Sequence, residues 1–102
     1  MRILVVDDTE DTREVIGAMA RWLGHDVIEA RSGMEAVKLA FEKRPELVLM
    51  DFLMPEIDGV RAAGALRQIA SFTRLPIVII TAYPEKMVNN PVVYGMASSE
   101  NP

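Results

Sequence analysis

Residues 47–59 of the chain are LVLMDFLMPEIDG, an apolar run that ends in an aspartate. The four apolar residues predict a strand buried on both faces, as in the centre of a parallel sheet. A carboxylate inside such a strand is costly, whereas one at its carboxyl end lies at the rim where α/β proteins place their ligands. Asp51 is therefore expected at this rim, where further polar groups would complete a ligand site.

Three further apolar runs predict strands, and helix-like segments lie between them. The runs are residues 3–6, 27–30 and 77–80; charged residues interrupt the second, which suits an edge strand. Helical periodicity covers residues 10–23 and 60–70, and a Ser-x-x-Glu capping box at Ser32 and Glu35 opens another helix that Pro45 ends. This alternation predicts an α/β fold with a doubly wound parallel sheet and right-handed crossovers.

The first two predicted helices each carry an apolar face. This is the pattern of amphipathic helices that pack on a sheet. The apolar faces consist of Val15, Met19, Trp22 and Leu23 in the first helix and, directed inward, of Val37, Ala40 and Phe41 in the second.

Length and composition limit the class of protein. With 102 residues the chain has room for one small domain, and half of its residues are apolar, which opposes disorder. It contains no cysteine for a zinc or redox site, no apolar run that could span a bilayer or serve as a signal peptide, and a net charge of −4. We therefore expect a cytoplasmic protein that binds cations or other proteins, with no membrane contact and no direct nucleic acid binding.

Polar residues follow three of the four predicted strands. Asp7 and Asp8 follow the first strand, Asp51 the third and Thr81 the fourth, so a parallel sheet is expected to bring them to one edge. Converging carboxylates need a counterion or raised pKa values, and all-oxygen ligands favour Mg²⁺ over Ca²⁺ or Zn²⁺ here. A carboxylate beside Mg²⁺ can also accept a phosphoryl group as a nucleophile. Taken singly, each residue has an ordinary alternative as a helix cap, a turn or a strand end.

The combination of these segments resembles the receiver domain of two-component response regulators. The resemblance lies in Asp7-Asp8, in the pattern Asp-x-x-Met-Pro-x-x-Asp-Gly at 51–59 and in Thr81-Ala82, and it covers residues 2–82. It implies a flavodoxin-like sheet with strand order 2-1-3-4 and a site between strands 1 and 3. It also implies that Asp51 accepts a phosphoryl group from a histidine kinase or a histidine phosphotransfer protein.

The resemblance further implies a Mg²⁺ site. Asp8, Asp51 and the backbone carbonyl of Leu53 would bind the ion directly, and Asp7 would act mainly through a bound water.

The loops around this site have implied roles as well. Thr81, followed by Ala82, would move to the phosphoryl group and transmit the switch, while Pro55 and Gly59 would shape the adjacent loop. Leu53 and Tyr83 flank the site, and neither side chain can position an attacking water well. We therefore expect slow self-dephosphorylation.

The C-terminal part departs from the family pattern, which continues through a fourth helix, a fifth strand ending in Lys-Pro and a fifth helix. Asn101-Pro102 stands where Lys-Pro is expected. The lysines of the chain are Lys38 and Lys43 in the second helix and Lys86, and none of them occupies that position. We divide the chain into a receiver core, residues 1–82, and an atypical tail, residues 83–102, which replaces helix 4, strand 5 and helix 5.

The fifth strand is expected to be missing or atypical, because only ten residues (82–91) precede a possible strand at residues 92–96 and a parallel crossover needs about a dozen. An open edge at residues 77–80 would invite a homodimer, by edge pairing or by exchange of tails. The alternatives are that residues 92–96 fold back as an edge strand, or that the tail is loose.

Two functions from different classes stay open. The first is a phosphoryl-accepting switch that is not a turnover enzyme, favoured by the complete acidic set. The second is a degenerate receiver that acts as a phosphorylation-independent protein-binding or dimerisation module, favoured by the absent lysine. A Mg²⁺-dependent phosphatase with an aspartate nucleophile is the weaker third, because Leu53 stands where such enzymes carry a second acid.

Overall fold

The computed structural model describes residues 1–51, 59–68, 74–81 and 95–98. Strands and helices alternate along these ranges, and all four strands and three helices predicted from the sequence are present with small differences at their ends. The strands are β1 (Arg2–Val6), β2 (Asp26–Ala30), β3 (Leu47–Asp51), β4 (Ile77–Thr81) and β5 (Gly95–Ser98), and the helices are α1 (Glu10–Trp22), α2 (Gly33–Lys43) and α3 (Gly59–Gln68). None of the helices in these ranges has both the length and the apolar character needed to cross a membrane.

The strands form one parallel sheet in the order β2-β1-β3-β4-β5. This confirms the flavodoxin-like order 2-1-3-4 and the edge position of β2. The register sets Val6 opposite Met50 and Asp51 opposite Ile80. The carboxyl ends of β1, β3 and β4 therefore lie side by side at one edge of the sheet.

The fifth strand corrects one expectation. β5 is parallel to β4, with Gly95 opposite Val78, so β4 is paired on both sides and the predicted open edge for a homodimer is wrong. In addition, β5 begins at Gly95, which is later than the start of the edge strand predicted for residues 92–96. The connection between β4 and β5 is therefore residues 82–94, which reaches the length of about a dozen residues that a parallel crossover needs. A strand that started at residue 92 would have left a connection shorter than this. Tail exchange stays a prediction, since the rest of the tail lies outside the described residues.

Side chains from alternate strand positions build a core on each face of the sheet. α2 and α3 cover one face and α1 covers the other. The first core contains Leu4, Val6, Val48, Met50, Ile77 and Ile79 with Ala36 and Ala40 of α2 and Leu66 of α3. The second contains Ile3 and Val5 with Ala20 of α1, flanked by Ile16, Val27, Leu47 and Leu49.

The apolar face that the sequence assigns to α1 points away from the sheet. Val15 is 60% exposed, Met19 63% and Trp22 86%. The side that contacts the strands contains the small buried residues Gly17 and Ala20. Small residues let the helix backbone lie close to the sheet, so they occupy the contact although they contribute little to a hydrophobic pattern.

The inward face predicted for α2 is only partly correct. Ala40 is buried and Val37 packs against the core, as predicted. Phe41 is 55% exposed, and the Arg44 guanidinium lies over its ring at 5.4 Å from the centroid. The neighbouring Ala36 and Ala40 provide the close contact with the sheet, which leaves Phe41 on the rim of the helix.

The predicted cap of α2 is present. Ser32 Oγ accepts a hydrogen bond from the Glu35 backbone N–H at 3.1 Å, and the Glu35 carboxylate accepts one from the Arg31 backbone N–H at 3.0 Å. The helix ends at Lys43, and Arg44, which caps it, adopts the left-handed conformation with φ 52°. Pro45 follows directly, as the sequence predicts for a helix end.

Ser32→Ala is expected to lower the free energy of unfolding by about 1 kcal/mol, because it leaves the Glu35 N–H without its side-chain acceptor. Urea denaturation followed by circular dichroism measures the change. Ser32→Asp restores an acceptor at the same position and should recover most of the loss. Equal losses in both variants would contradict the capping role.

Candidate functional site

Three carboxylates converge at the carboxyl edge of the sheet. Asp7 and Asp8 directly follow β1, and Asp51 ends the adjacent β3. One carboxylate oxygen of each lies within 4.8 Å of those of the other two. Asp7 is 6% exposed, Asp51 is half-buried and Asp8 is exposed. The cluster is therefore anchored in the protein at Asp7 and open to solvent at Asp8.

Backbone hydrogen bonds fix Asp7 in this position. Its N–H donates to the Ala30 carbonyl at 3.1 Å, which extends the pairing of β1 with β2 past the end of the strand. Its Oδ1 accepts a hydrogen bond from the Thr9 N–H at 2.9 Å, an Asx-type turn into α1. The turn holds the carboxylate at the sheet edge and leads directly into α1, which begins at Glu10.

The electrostatics of the cluster are unfavourable without a cation. Burial raises the pKa of Asp7 above its ordinary value of 3.8, and the Asp8 carboxylate raises it further. The hydrogen bond from Thr9 and the charge of Arg13 act in the opposite direction without cancelling the effect. A raised pKa means that the ionised form of Asp7 is destabilised in the folded protein.

Arg13 of α1 contacts the site and was missed by the sequence analysis. Its Nη1 donates to the Asp7 carbonyl oxygen at 2.9 Å, and its Nε pairs with Glu29 of β2 at 3.2 Å. Its side chain is only 12% exposed. The signal was weak, because one arginine in the first turns of a helix with several charged residues does not stand out.

A solvent-open cavity of about 250 Å³ lies on the exposed side of the acids. Its lining combines two acids with two arginines. These residues are Asp8, Glu10, Arg13 and Arg31. The two arginines place positive charge beside the acidic cluster.

Only some of the other predicted site residues lie within the residues that the structure describes. Thr81 is the last residue of β4, and its backbone reaches the same sheet edge as Asp51. Gly59 is the first residue of α3. Lys38 and Lys43 lie on α2, as predicted. The predicted roles of Leu53, Pro55, Ala82, Tyr83, Lys86 and Asn101 fall outside the described residues.

Asp7→Asn is expected to stabilise the metal-free protein by about 1 kcal/mol at about pH 7, because it removes one of the repelling charges. Two like charges near 4 Å repel by at most about 4 kcal/mol at an effective dielectric of 20. Solvent on the exposed side of the cluster screens this repulsion and reduces it. The Asn side chain keeps an acceptor for the Thr9 N–H. Urea denaturation in the presence of a chelator measures the difference.

The pH dependence of this difference has a defined sign. Because the pKa of folded Asp7 is raised, its contribution to stability is fully present below the ordinary value of 3.8 and is lost as pH rises through the folded value. The advantage of Asp7→Asn should therefore disappear on acidification to about pH 3. A variant that is less stable than the wild type at neutral pH would contradict the predicted repulsion.

A family model described as the response regulator receiver domain matches residues 3–98. The chain belongs to this family. Membership confirms the receiver domain of two-component signalling expected from the sequence motifs. Protein PilH from Pseudomonas aeruginosa is 38% identical over 80 residues, which cover 78% of this chain and 66% of PilH. The match thus spans about two thirds of that relative.

Solved receiver structures have the same fold. The response regulator TrrA from Thermotoga maritima, in complex with Mg²⁺-BeF, is 30% identical with a TM-score of 0.85, covering 95% of this chain and 84% of its own. The receiver domain of the sensor histidine kinase PA1611 from Pseudomonas aeruginosa PAO1 is 29% identical with a TM-score of 0.87, covering 99% and 86%. The latter holds a magnesium ion in its active site cleft.

Proposed function

We propose that this receiver domain accepts a phosphoryl group on Asp51 and acts as a switch in a two-component phosphorelay. The observation that carries the proposal is the convergence of the Asp7, Asp8 and Asp51 carboxylates within 4.8 Å at the edge where β1 and β3 end. In the transfer, an Asp51 carboxylate oxygen forms a bond to phosphorus while the bond from phosphorus to the donor breaks. The product is an aspartyl phosphate.

Asp51 is the best placed of the three acids for this role. Its backbone is held in β3 between β1 and β4, and its side chain is half-buried, which is accessible enough for a donor to reach. Asp7 is buried and engaged with Thr9, and Asp8 is exposed on a residue that follows its strand. A nucleophile has to be both held and reachable, and Asp51 combines the two properties.

The donor set fits Mg²⁺. All three groups offer carboxylate oxygens, which hard cations prefer, and a site with few protein ligands leaves room for water and phosphate oxygens. Asp8 and Asp51 would hold the ion with the backbone carbonyl of Leu53, and Asp7 would hold a water bound to it. When bound, the ion would neutralise charge on the transferring phosphoryl group. Magnesium in the TrrA and PA1611 receiver structures supports this assignment.

The donor we propose is a phosphohistidine of a histidine kinase or of a histidine phosphotransfer protein. The bond between phosphorus and the histidine nitrogen breaks. The imidazole is the leaving group, and it takes up a proton. The protein is changed by one such event and then carries the signal, so we propose a signalling role without enzymatic turnover. A cytoplasmic location stays a prediction.

Incubation with Mg²⁺ and acetyl phosphate, followed by intact-mass spectrometry, tests the proposal. The expected result is a mass gain of one phosphoryl group that depends on Mg²⁺ and decays slowly after the donor is removed. No gain in a folded protein that binds Mg²⁺ would overturn the proposal. That outcome would favour the degenerate receiver, which binds partners without being phosphorylated.

A further inference from the structure

Arg13 of α1 joins the acidic cluster to the edge strand β2. Its Nη1 donates to the Asp7 carbonyl oxygen at 2.9 Å, and its Nε donates to Glu29 Oε1 at 3.2 Å. The side chain is 12% exposed, although arginine is rarely buried without partners. Two nitrogens of one planar guanidinium thus bind groups on two different segments, and the rigid fork fixes how these segments lie relative to each other.

The Asp7 carbonyl belongs to the peptide unit that joins Asp7 to Asp8. The Ala30 carbonyl holds the Asp7 N–H, and the Thr9 N–H holds the Asp7 carboxylate. β2 ends at Ala30, so Arg13 donates to the Asp7 carbonyl at the point where pairing with β2 stops. Because a peptide unit is planar, the direction of this carbonyl determines where the Cα of Asp8 lies. The hydrogen bond from Arg13 therefore sets the position from which the exposed Asp8 side chain extends.

Glu29 anchors the other end of the Arg13 fork. It is a residue of β2, and its side chain is 28% exposed. Its second carboxylate oxygen pairs with Arg21 at 3.1 Å. Arg21 lies about two turns further along α1 and is 51% exposed, and its contact with Glu29 does not involve Asp7. Two arginines of one helix therefore share a carboxylate, and Arg13 is the one that also contacts the acidic site.

The charge of Arg13 works against a bound cation. A guanidinium beside the acidic cluster repels Mg²⁺, so by Coulomb's law alone its removal would strengthen metal binding. Any favourable effect of Arg13 on Mg²⁺ binding therefore has to come from the geometry that it imposes on the site.

We propose that Arg13 is a positioning residue for the Mg²⁺ site, which fixes the peptide unit between Asp7 and Asp8 and so holds the Asp8 carboxylate in place for the ion. The inference rests on the proposed function, because it concerns how the same site holds its metal. Glu29 is the anchor through which β2 keeps Arg13 in position.

Arg13→Lys tests this geometry at constant charge. A lysine offers one nitrogen where the arginine uses two, so it cannot reproduce both contacts. Loss of a group that orients a metal ligand typically lowers metal affinity by about 10- to 100-fold, and we expect Arg13→Lys to bind Mg²⁺ about tenfold more weakly than the wild type. Titration of the full chain with MgCl₂ at constant ionic strength, followed in ¹H–¹⁵N correlation spectra, measures the dissociation constants.

Arg21→Lys is the matched control. It is the same substitution on the same helix, at the other arginine that pairs with Glu29, and it should leave the Mg²⁺ affinity unchanged. Glu29→Asp is a second test at constant charge. It withdraws the carboxylate from Arg13 by one methylene and should weaken Mg²⁺ binding by a smaller factor than Arg13→Lys does.

Amide hydrogen exchange of the metal-free protein separates positioning from a general loss of stability. The Thr9 N–H donates to the Asp7 carboxylate and therefore reports on the turn itself. Arg13→Lys should speed the exchange of this amide, while the amides of the central strand β3 keep their protection. Faster exchange throughout α1 and the sheet would show a purely structural role and overturn the proposal.

Weaker Mg²⁺ binding by Arg13→Lys, together with unchanged binding by Arg21→Lys, supports the proposal. Equal affinities of Arg13→Lys and the wild type overturn it and leave the proposed phosphoryl transfer intact. Equal losses in the two arginine variants also overturn it, because the effect then does not depend on the Asp7 carbonyl. A wild type that binds no Mg²⁺ overturns the inference together with the proposed metal site. If Arg13→Lys does not fold, Glu29→Asp decides, and wild-type affinity in that variant overturns the proposal.

Discussion

Asp51→Asn is expected to reduce phosphoryl incorporation from acetyl phosphate to background. An amide cannot supply the negatively charged oxygen that forms the bond to phosphorus, and Asp7 and Asp8 do not replace it because one is buried and the other projects from a residue beyond the strand end. Intact-mass spectrometry of the wild type and the variant, in parallel and with Mg²⁺ present, measures the difference.

The matched control is Asp26→Asn. Asp26 is exposed at the amino end of β2, which is the opposite edge of the sheet from the acidic cluster. The Asp26→Asn substitution removes the same charge from the protein and should leave phosphoryl incorporation unchanged. Phosphorylation that persists in Asp51→Asn would show that another residue is the acceptor and would move the site away from β3.

The loss in Asp51→Asn is separable from unfolding. The variant removes one of three mutually repelling carboxylates, so its metal-free form should be at least as stable as the wild type. A thermal unfolding curve recorded on the same sample provides the comparison. A variant that is both inactive and unstable would leave the chemical role of Asp51 without support.

Mg²⁺ is expected to produce the second large effect, a rise in the stability of the wild type. At a concentration about 100 times its dissociation constant, a ligand that binds only the folded state adds about 2.7 kcal/mol to the free energy of unfolding. The physical reason is that the cation removes the repulsion among Asp7, Asp8 and Asp51. Urea denaturation at constant ionic strength, with and without Mg²⁺, measures this increase.

Asp8→Asn should lose most of the Mg²⁺-induced increase, whereas Asp26→Asn should retain it. Asp8 is the exposed member of the cluster, so its replacement removes a ligand with little change in packing. Constant ionic strength matters because general screening of a chain with a net charge of −4 also raises stability. An equal rise in all three proteins would point to such screening and not to a bound ion.

The sequence alone was sufficient for β1 to β4, their parallel arrangement and the acids at the sheet edge. Continuous runs of Val, Ile and Leu indicate buried strands without any knowledge of the rest of the fold. The run that forms β3 ends at Asp51 in the structure, as predicted. The edge follows from parallel topology, because every strand then points its carboxyl end in the same direction. Asp7, Asp8 and Asp51 could therefore be brought together without knowledge of any distance.

Other features depended on contacts between distant parts of the chain. Arg13 contacts Asp7 and Glu29 only because α1 crosses above β2, and β5 pairs with β4 across a long connection. Only the tertiary structure decided which side of α1 meets the sheet. Hydrophobic periodicity favours Val15, Met19 and Trp22, but the residues of α1 that are buried against the sheet are the small Gly17 and Ala20. Close packing placed these small residues, with Ile16 beside them, against the sheet and left Val15, Met19 and Trp22 exposed.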